Sequence, residues 1–338
     1  MTTHSPEHTS FLPVCVIAVA TCSLSVQFLL IKKLTLDNVP FFQVISLRGA
    51  VQAVACVPSF IYLRRPLRTV FGESFQETAW LGGLGLLSFG GVSSAFAALS
   101  LLDLAQMQVL QSTAPVMTAL FAWVLVGERW HWNEFTSAGT TIMGVIFVAM
   151  PGLLSVHAAS TGQGHSWRHD VGVLLTLTNS ACTAGMYAFI RVLGTRMKVH
   201  FVGVTMFNGL VNSVLGFAAS FLFGFFTEDY PLWLSFDDWC LALGVCFLSI
   251  FSQLCIIWGM QREKSALGSV VVQCLGPVFA FVLQIVFLPN EPIAGSTLAG
   301  FGIIFVGLVI AVYGKWYRER QEQKILPTTD KTYHQLEG

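Results

Sequence analysis

The chain has 338 residues, 54% of them hydrophobic and 11% charged, and its 18 basic and 18 acidic side chains cancel. An ordinary soluble domain is about one-quarter charged, so this composition excludes one, and the neutral balance gives no reason to expect a nucleic-acid partner. The apolar residues come in long blocks, not in amphipathic stripes, which points to a lipid bilayer as the surrounding medium.

A run of roughly 20 apolar residues spans the hydrocarbon core. Ten such runs follow one another: Phe11–Ile31, Phe41–Leu63, Ala79–Leu102, Leu104–Val126, Phe135–Leu154, Val171–Ile190, Phe201–Phe226, Trp239–Met260, Ala266–Leu288 and Ile293–Gly314. In lipid every backbone polar group must bond within its own segment, so each run predicts a helix. The fold class is an all-α polytopic membrane protein with ten transmembrane helices. The leading segment 1–10 carries no Lys or Arg and the first run is long, so no cleaved signal peptide is expected. The eight cysteines fall in or beside apolar runs without a CxxC pair, so no zinc, other metal or cofactor is expected.

One phrase is written twice. Ser112 to Glu128 is an apolar run holding Pro115, and Gln273 to Glu291 is another holding Pro277. A glycine-punctuated run follows each, with Gly139 and Gly144 in the first copy and Gly302 and Gly307 in the second. Arg48-Gly49 has its counterpart in Asn208-Gly209. The longest polar break, 155–170, falls where two halves should meet, dividing repeat 11–154 from repeat 171–314 and leaving a tail at 315–338. Five spans per repeat is an odd number, so the second copy must enter the membrane from the opposite face, as in transporters built on inverted repeats.

Lys and Arg set the orientation. With the N-terminus inside, the inner loops and tail collect fourteen of them, among them Arg64, Arg65, Arg68, Arg191, Arg196 and Lys315, while the outer loops collect only Lys32, Lys33 and Arg168. Both termini are therefore expected to be cytoplasmic.

Ten spans in two halves, Arg48-Gly49 in the second, Pro115 and Pro277 in the fourth and ninth, and Gly127-Glu128 closing the fourth resemble the EamA-type drug/metabolite transporter superfamily. The block Val278 to Pro292, with Lys315-Trp316-Tyr317 after the last helix, resembles the G group of solute carrier family 35. The resemblance covers residues 11–317 and implies a secondary transporter, facilitator or exchanger, with a small-molecule solute and the bilayer as partners. It fixes no substrate, since the superfamily carries nucleotide sugars, sugar phosphates, amino acids and organic anions. Homodimerisation stays open.

Arg48 stands out as the basic residue set well inside a span. A buried arginine must face the protein interior and find partners. It could anchor an anionic solute through its guanidinium fork, or cap helix-terminal carbonyls and hold a gate. Recurrence of the motif in carriers of differently charged substrates favours the structural reading. Gln111 and Gln273 each lie four residues before a repeat proline, which frees carbonyls one turn upstream. Asn179 and Tyr187 lie near one face of the sixth span. These four and Arg48 are the candidate substrate-binding residues, among in-span polar groups that also include Gln27, Gln52, Gln108, Asn208, Asn212 and Gln253. Pro115, Gly276 and Pro277 are candidate hinges, with a static kink as the plainer alternative.

No Asp or Glu lies deep in any span, which favours facilitated transport or exchange over carboxylate-based proton coupling. The rival class is a membrane enzyme: His165 and Asp170 match the spacing of an acyltransferase His-x4-Asp pair, in a loop rich in His, Ser and Gly that makes such matches by accident. A non-transporting scaffold leaves the inverted duplication unexplained. A small polar, anionic organic solute is the expected cargo, in a plasma membrane or endomembrane.

Overall fold

The computed structural model describes residues 11–37, 39–62, 70–114, 116–117, 132–154, 167–197, 199–227, 235–262, 267–288, 295–307, 309–310 and 313. These form α1 (Phe11–Leu36), α2 (Phe41–Tyr62), α3 (Phe75–Leu99), α4 (Leu104–Gln111) and α5 (Trp132–Leu154). They continue with α6 (Trp167–Thr195), α7 (Phe201–Thr227), α8 (Phe236–Arg262), α9 (Leu267–Phe287) and α10 (Gly295–Gly307). No strand occurs among the described residues. Six of the helices, α1, α2, α3, α6, α7 and α8, are long and apolar enough to cross a membrane.

Several helices run past the ends of their apolar blocks because polar caps extend them. Ser74 caps α3, accepting from the Glu77 amide at 3.2 Å, so that the helix begins at Phe75, four residues ahead of the apolar run. Ser235 and Asp238 cap α8 reciprocally: the Asp238 amide donates to Ser235 Oγ, and the Ser235 amide donates to the Asp238 carboxylate, both at 3.2 Å. Hydropathy marks the apolar stretch of a helix, whereas capping marks its end.

The fourth span departs most from its expected shape. Its helix stops at Gln111, and the chain turns through Ser112 and Thr113 before helical bonding resumes from the Thr113 carbonyl. Pro115, in the next turn, lies outside the described residues; a proline offers no amide and crowds the carbonyl four residues back. Carbonyls at the break go to hydroxyls instead: Thr113 Oγ1 donates to Leu110 O at 2.9 Å, and Ser180 Oγ on α6 approaches the Leu110 and Gln111 carbonyls at 3.4 Å. The ninth span behaves differently, since α9 continues unbroken through Gly276 and Pro277.

The most extensive helix pairs are antiparallel. Contacts between Ile17 and Gly259 and between Ser23 and Leu248 align α1 with α8, and those of Gly83 with Phe189 and Gly91 with Cys182 align α3 with α6. Between α2 and α7, Gln52 Nε2 donates to Thr205 O at 2.9 Å and Ser46 Oγ to Ser213 O at 3.2 Å. A Cβ on Gly49 would sit 2.5 Å from the Ser213 amide nitrogen, and one on Gly209 would sit 2.9 Å from the Gly49 carbonyl. Only glycine permits that backbone-to-backbone approach. Gly144 and Gly300 do the same for α5 and α10, each within 2.8 Å of the other's carbonyl by the same construction. Gly139 and Gly302, which also punctuate the repeated runs, face open space. On a helix only one face meets a neighbour, so a glycine a few residues away can play no part.

All eight residues of α4 are buried. Ahead of it, a turn at Leu101 and Leu102 follows α3. Lys32, expected in an outer loop, instead lies within α1 and is only 6% exposed. Its ammonium donates to the Leu99 and Leu102 carbonyls at 3.1 and 2.9 Å, satisfying the C-terminal end of α3. The amide of Ala105, in the first turn of α4, donates to Gln284 Oε1 of α9 at 2.7 Å.

Candidate functional site

Two apolar clusters occupy opposite ends of the bundle. One joins the start of α1 to the ends of α2, α6 and α8 through Ile17, Phe60, Leu193 and Met260. The other joins the end of α1 to the start of α2 and to α3 and α4 through Ile31, Ile45, Phe96 and Met107. A polar layer lies between them, built from buried Gln27, Arg48, Gln52, Ser88, Gln111, Asn179, Asn212 and Gln253.

Within this layer is a cavity of about 60 Å³. It is smaller than the roughly 300–1,000 Å³ of a site filled by a drug-sized ligand, and an apolar cluster lies toward each end of the bundle. Arg48, Gln111, Asn179 and Tyr187 line it, together with Gln27, Ser88, Thr183 and Gln253, and with Phe28, Phe96 and Met186 on its apolar walls. Gln273 lies on α9, but its side chain falls outside the described residues. Glu128, Arg129, His165 and Glu291 also lie outside them.

Six helices supply the polar lining: α1, α2, α3, α4 and α8 each turn one polar position inward, and α6 turns Asn179, Thr183 and Tyr187. Arg48 projects from α2 one residue before Gly49; the close α2–α7 approach made by that glycine fixes the register of the helix that carries it. Gln111 is the last residue of α4 and reaches the cavity where the helix breaks. Asn179 Oδ1 accepts from Thr183 Oγ1 at 3.4 Å, one turn along α6. Gly91 on α3 leaves room for this pair: a Cβ there would lie 3.4 Å from Asn179 Oδ1.

Arg48 is 2% exposed, and its Nε and Nη2 have no hydrogen-bond partner among the described residues. Carbonyl capping by a buried cation occurs elsewhere in this bundle, where Lys32 caps the end of α3. Gln27 Oε1, Gln111 Oε1, Gln253 Oε1 and Asn179 Nδ2 are likewise buried without partners. Buried polar groups are normally paired; unpaired ones also occur away from the cavity, at Ser93, Gln108, Ser249 and Thr297, and those on the lining are the ones placed beside a space a solute could enter. Asn208, the counterpart of Arg48, does not line the cavity. It accepts instead from Asn212 Nδ2, at 3.0 Å through Oδ1 and 2.8 Å through its carbonyl.

Gln27 and Gln253 are in-span amides that no spacing rule singles out. For Gln253 a signal does exist: aligned on Pro115 and Pro277, the two halves put Gln253 opposite Gly91, so one repeat places a side chain where the other leaves room.

A bundle with six helices long and apolar enough to cross a membrane, around a cavity lined in part by polar side chains, defines a multi-pass membrane protein. The chain belongs to the EamA-like transporter family, whose sequence model matches residues 11–150 and 170–313. It is 24% identical to human solute carrier family 35 member G1 over 297 residues, covering 87% of this chain and 77% of that protein. It is 22% identical to a probable transport protein of Saccharomyces cerevisiae, covering 62% of each. A solved crystal structure superposes with a TM-score of 0.56 at 19% identity, over 89% of this chain and 95% of the other, which shows a shared fold. The protein is thus an integral membrane transporter of the drug/metabolite type.

Proposed function

We propose that the protein is a secondary transporter, a facilitator or exchanger, that moves a small polar anionic organic metabolite by alternating access. The observation that carries this reading is Arg48: a buried cation whose Nε and Nη2 are unpaired, on a cavity lined by no acidic residue among the described ones. A guanidinium fork held in a low-dielectric site favours a carboxylate or phosphate.

Inverted repeats at 11–154 and 171–314 supply the mechanism. The family model's two matches support the duplication, and the helix pairing supports its inversion. Each of α2, α4 and α5 packs antiparallel on its own counterpart, α7, α9 and α10. A twofold axis in the membrane plane has that consequence, whereas a duplication of unchanged orientation relates counterparts as parallel helices. Exchanging the conformations of the halves would open the cavity first to one face and then to the other. The Lys and Arg distribution supports cytoplasmic termini, and a plasma membrane or endomembrane is the proposed location.

The test is flux into proteoliposomes. Wild-type protein should move labelled organic anions saturably, and Arg48→Gln should selectively depress the anionic solutes. Equal loss for neutral and anionic solutes would return Arg48 to a purely structural role.

A further inference from the structure

Resting on the reading of the cavity as an anion site, we infer that the solute is a hydroxylated monocarboxylate: one negative charge, with its own hydroxyl donors beside it. Three features of the lining select this class.

The first is charge. Arg48 is the single charged residue among the described residues lining the cavity. It balances one negative charge, whereas a dicarboxylate, a phosphate ester or a nucleotide diphosphate brings further charge that nothing in the lining offsets. Uncompensated charge in a dry interior is strongly unfavourable. The second is geometry. Nε and Nη2 form one edge of the guanidinium, and both are unpaired. That edge accommodates one carboxylate in a two-bond fork.

The third feature is donor–acceptor balance. Around the arginine, Gln27, Gln111 and Gln253 each leave an Oε1 acceptor unpaired, three acceptors against the one amide donor left by Asn179 Nδ2. A solute made only of acceptors would leave all three unsatisfied, and would set its own oxygens against them. Hydroxyl groups satisfy them. An ammonium group would donate too, but an amino acid is a zwitterion, so the loaded cavity would keep the arginine's full charge and place a second cation near it. A hydroxy acid both neutralises the site and pairs its amides. Apolar walls at Phe28 and Phe96 accept the carbon skeleton.

The experiment uses the full chain in proteoliposomes, with labelled gluconate and lactate as hydroxy monocarboxylates. Propionate (no hydroxyl), alanine (ammonium), succinate and citrate (added charge), glucose 6-phosphate and UDP-glucose serve as competitors. Gluconate or lactate should outcompete propionate, alanine and every multiply charged solute by about tenfold or more, since a site built for a hydroxyl rejects the analogue lacking it. Gln253→Leu should raise KM for the hydroxy acid about tenfold while leaving KM for propionate unchanged. Preference for citrate, succinate, a phosphate ester or UDP-glucose, with flux still lost in Arg48→Gln, would overturn the hydroxy-monocarboxylate assignment and leave the anion reading standing. Preference for alanine would overturn it in the same way. Flux insensitive to Arg48→Gln, or transport of none of these solutes, would overturn both.

Discussion

Two regions in the same polar layer treat buried polar side chains in opposite ways. Along the α2–α7 seam, Ser46, Gln52 and Asn212 all donate to partners: to the Ser213 and Thr205 carbonyls, and to Ser88 and Asn208. Gln52 Oε1 and Asn212 Oδ1 remain unpaired, yet each side chain is anchored through its amide nitrogen. A few ångströms along α2, the Arg48 Nε and Nη2 are without partners, as are the amide oxygens of Gln27, Gln111 and Gln253 around it. The seam holds helices together. The cavity leaves these groups unpaired. Polar residues in a membrane bundle serve either as interhelical glue or as lining, and the difference is read from where their hydrogen bonds go.

That contrast can be broken at several points. Gly49→Ala should have the largest effect on stability, because its Cβ would lie 2.5 Å from backbone, which cannot rotate away; a loss of about 3 kcal/mol is expected, read as a lower melting temperature in detergent. Lys32→Met should follow, at about 2 kcal/mol, by stripping the charged donor from the Leu99 and Leu102 carbonyls. If Lys32→Met melts like wild type, those carbonyls have another partner and the end of α3 is not held by this lysine. Gln52→Leu removes one interhelical bond and should cost about 0.6 kcal/mol, with transport affinity unchanged. A large KM change there would move Gln52 out of the seam and into the site.

Much of this organisation is legible in the residues. Ten apolar runs anticipate ten helices, because bilayer thickness and backbone hydrogen bonding leave helices little freedom of length or form. Arg48 was legible as well, since an arginine within a span must face inward, and Gln111 through the proline that follows it. What sequence does not convey is rotation and pairing. Whether Gln27 and Gln253 meet the cavity depends on how α1 and α8 turn against each other, and whether Gly300 or Gly302 meets α5 depends on one face of α10. Nor does the shared proline fix the backbone: the helix breaks three residues before Pro115 yet runs on through Pro277. Lys32 misleads for a related reason. Counted by position it belongs to a loop, but a buried helix end with free carbonyls draws it inward.

The central claim, that Arg48 is kept for the solute and not for the fold, is tested most directly by measuring Arg48→Gln for melting temperature and anion flux in the same preparation. Removing a buried cation with unpaired nitrogens should leave the melting temperature unchanged or higher, while flux of the anionic solute falls about tenfold or more. A melting temperature several degrees lower, with the remaining folded protein transporting anions at the wild-type rate, would contradict it.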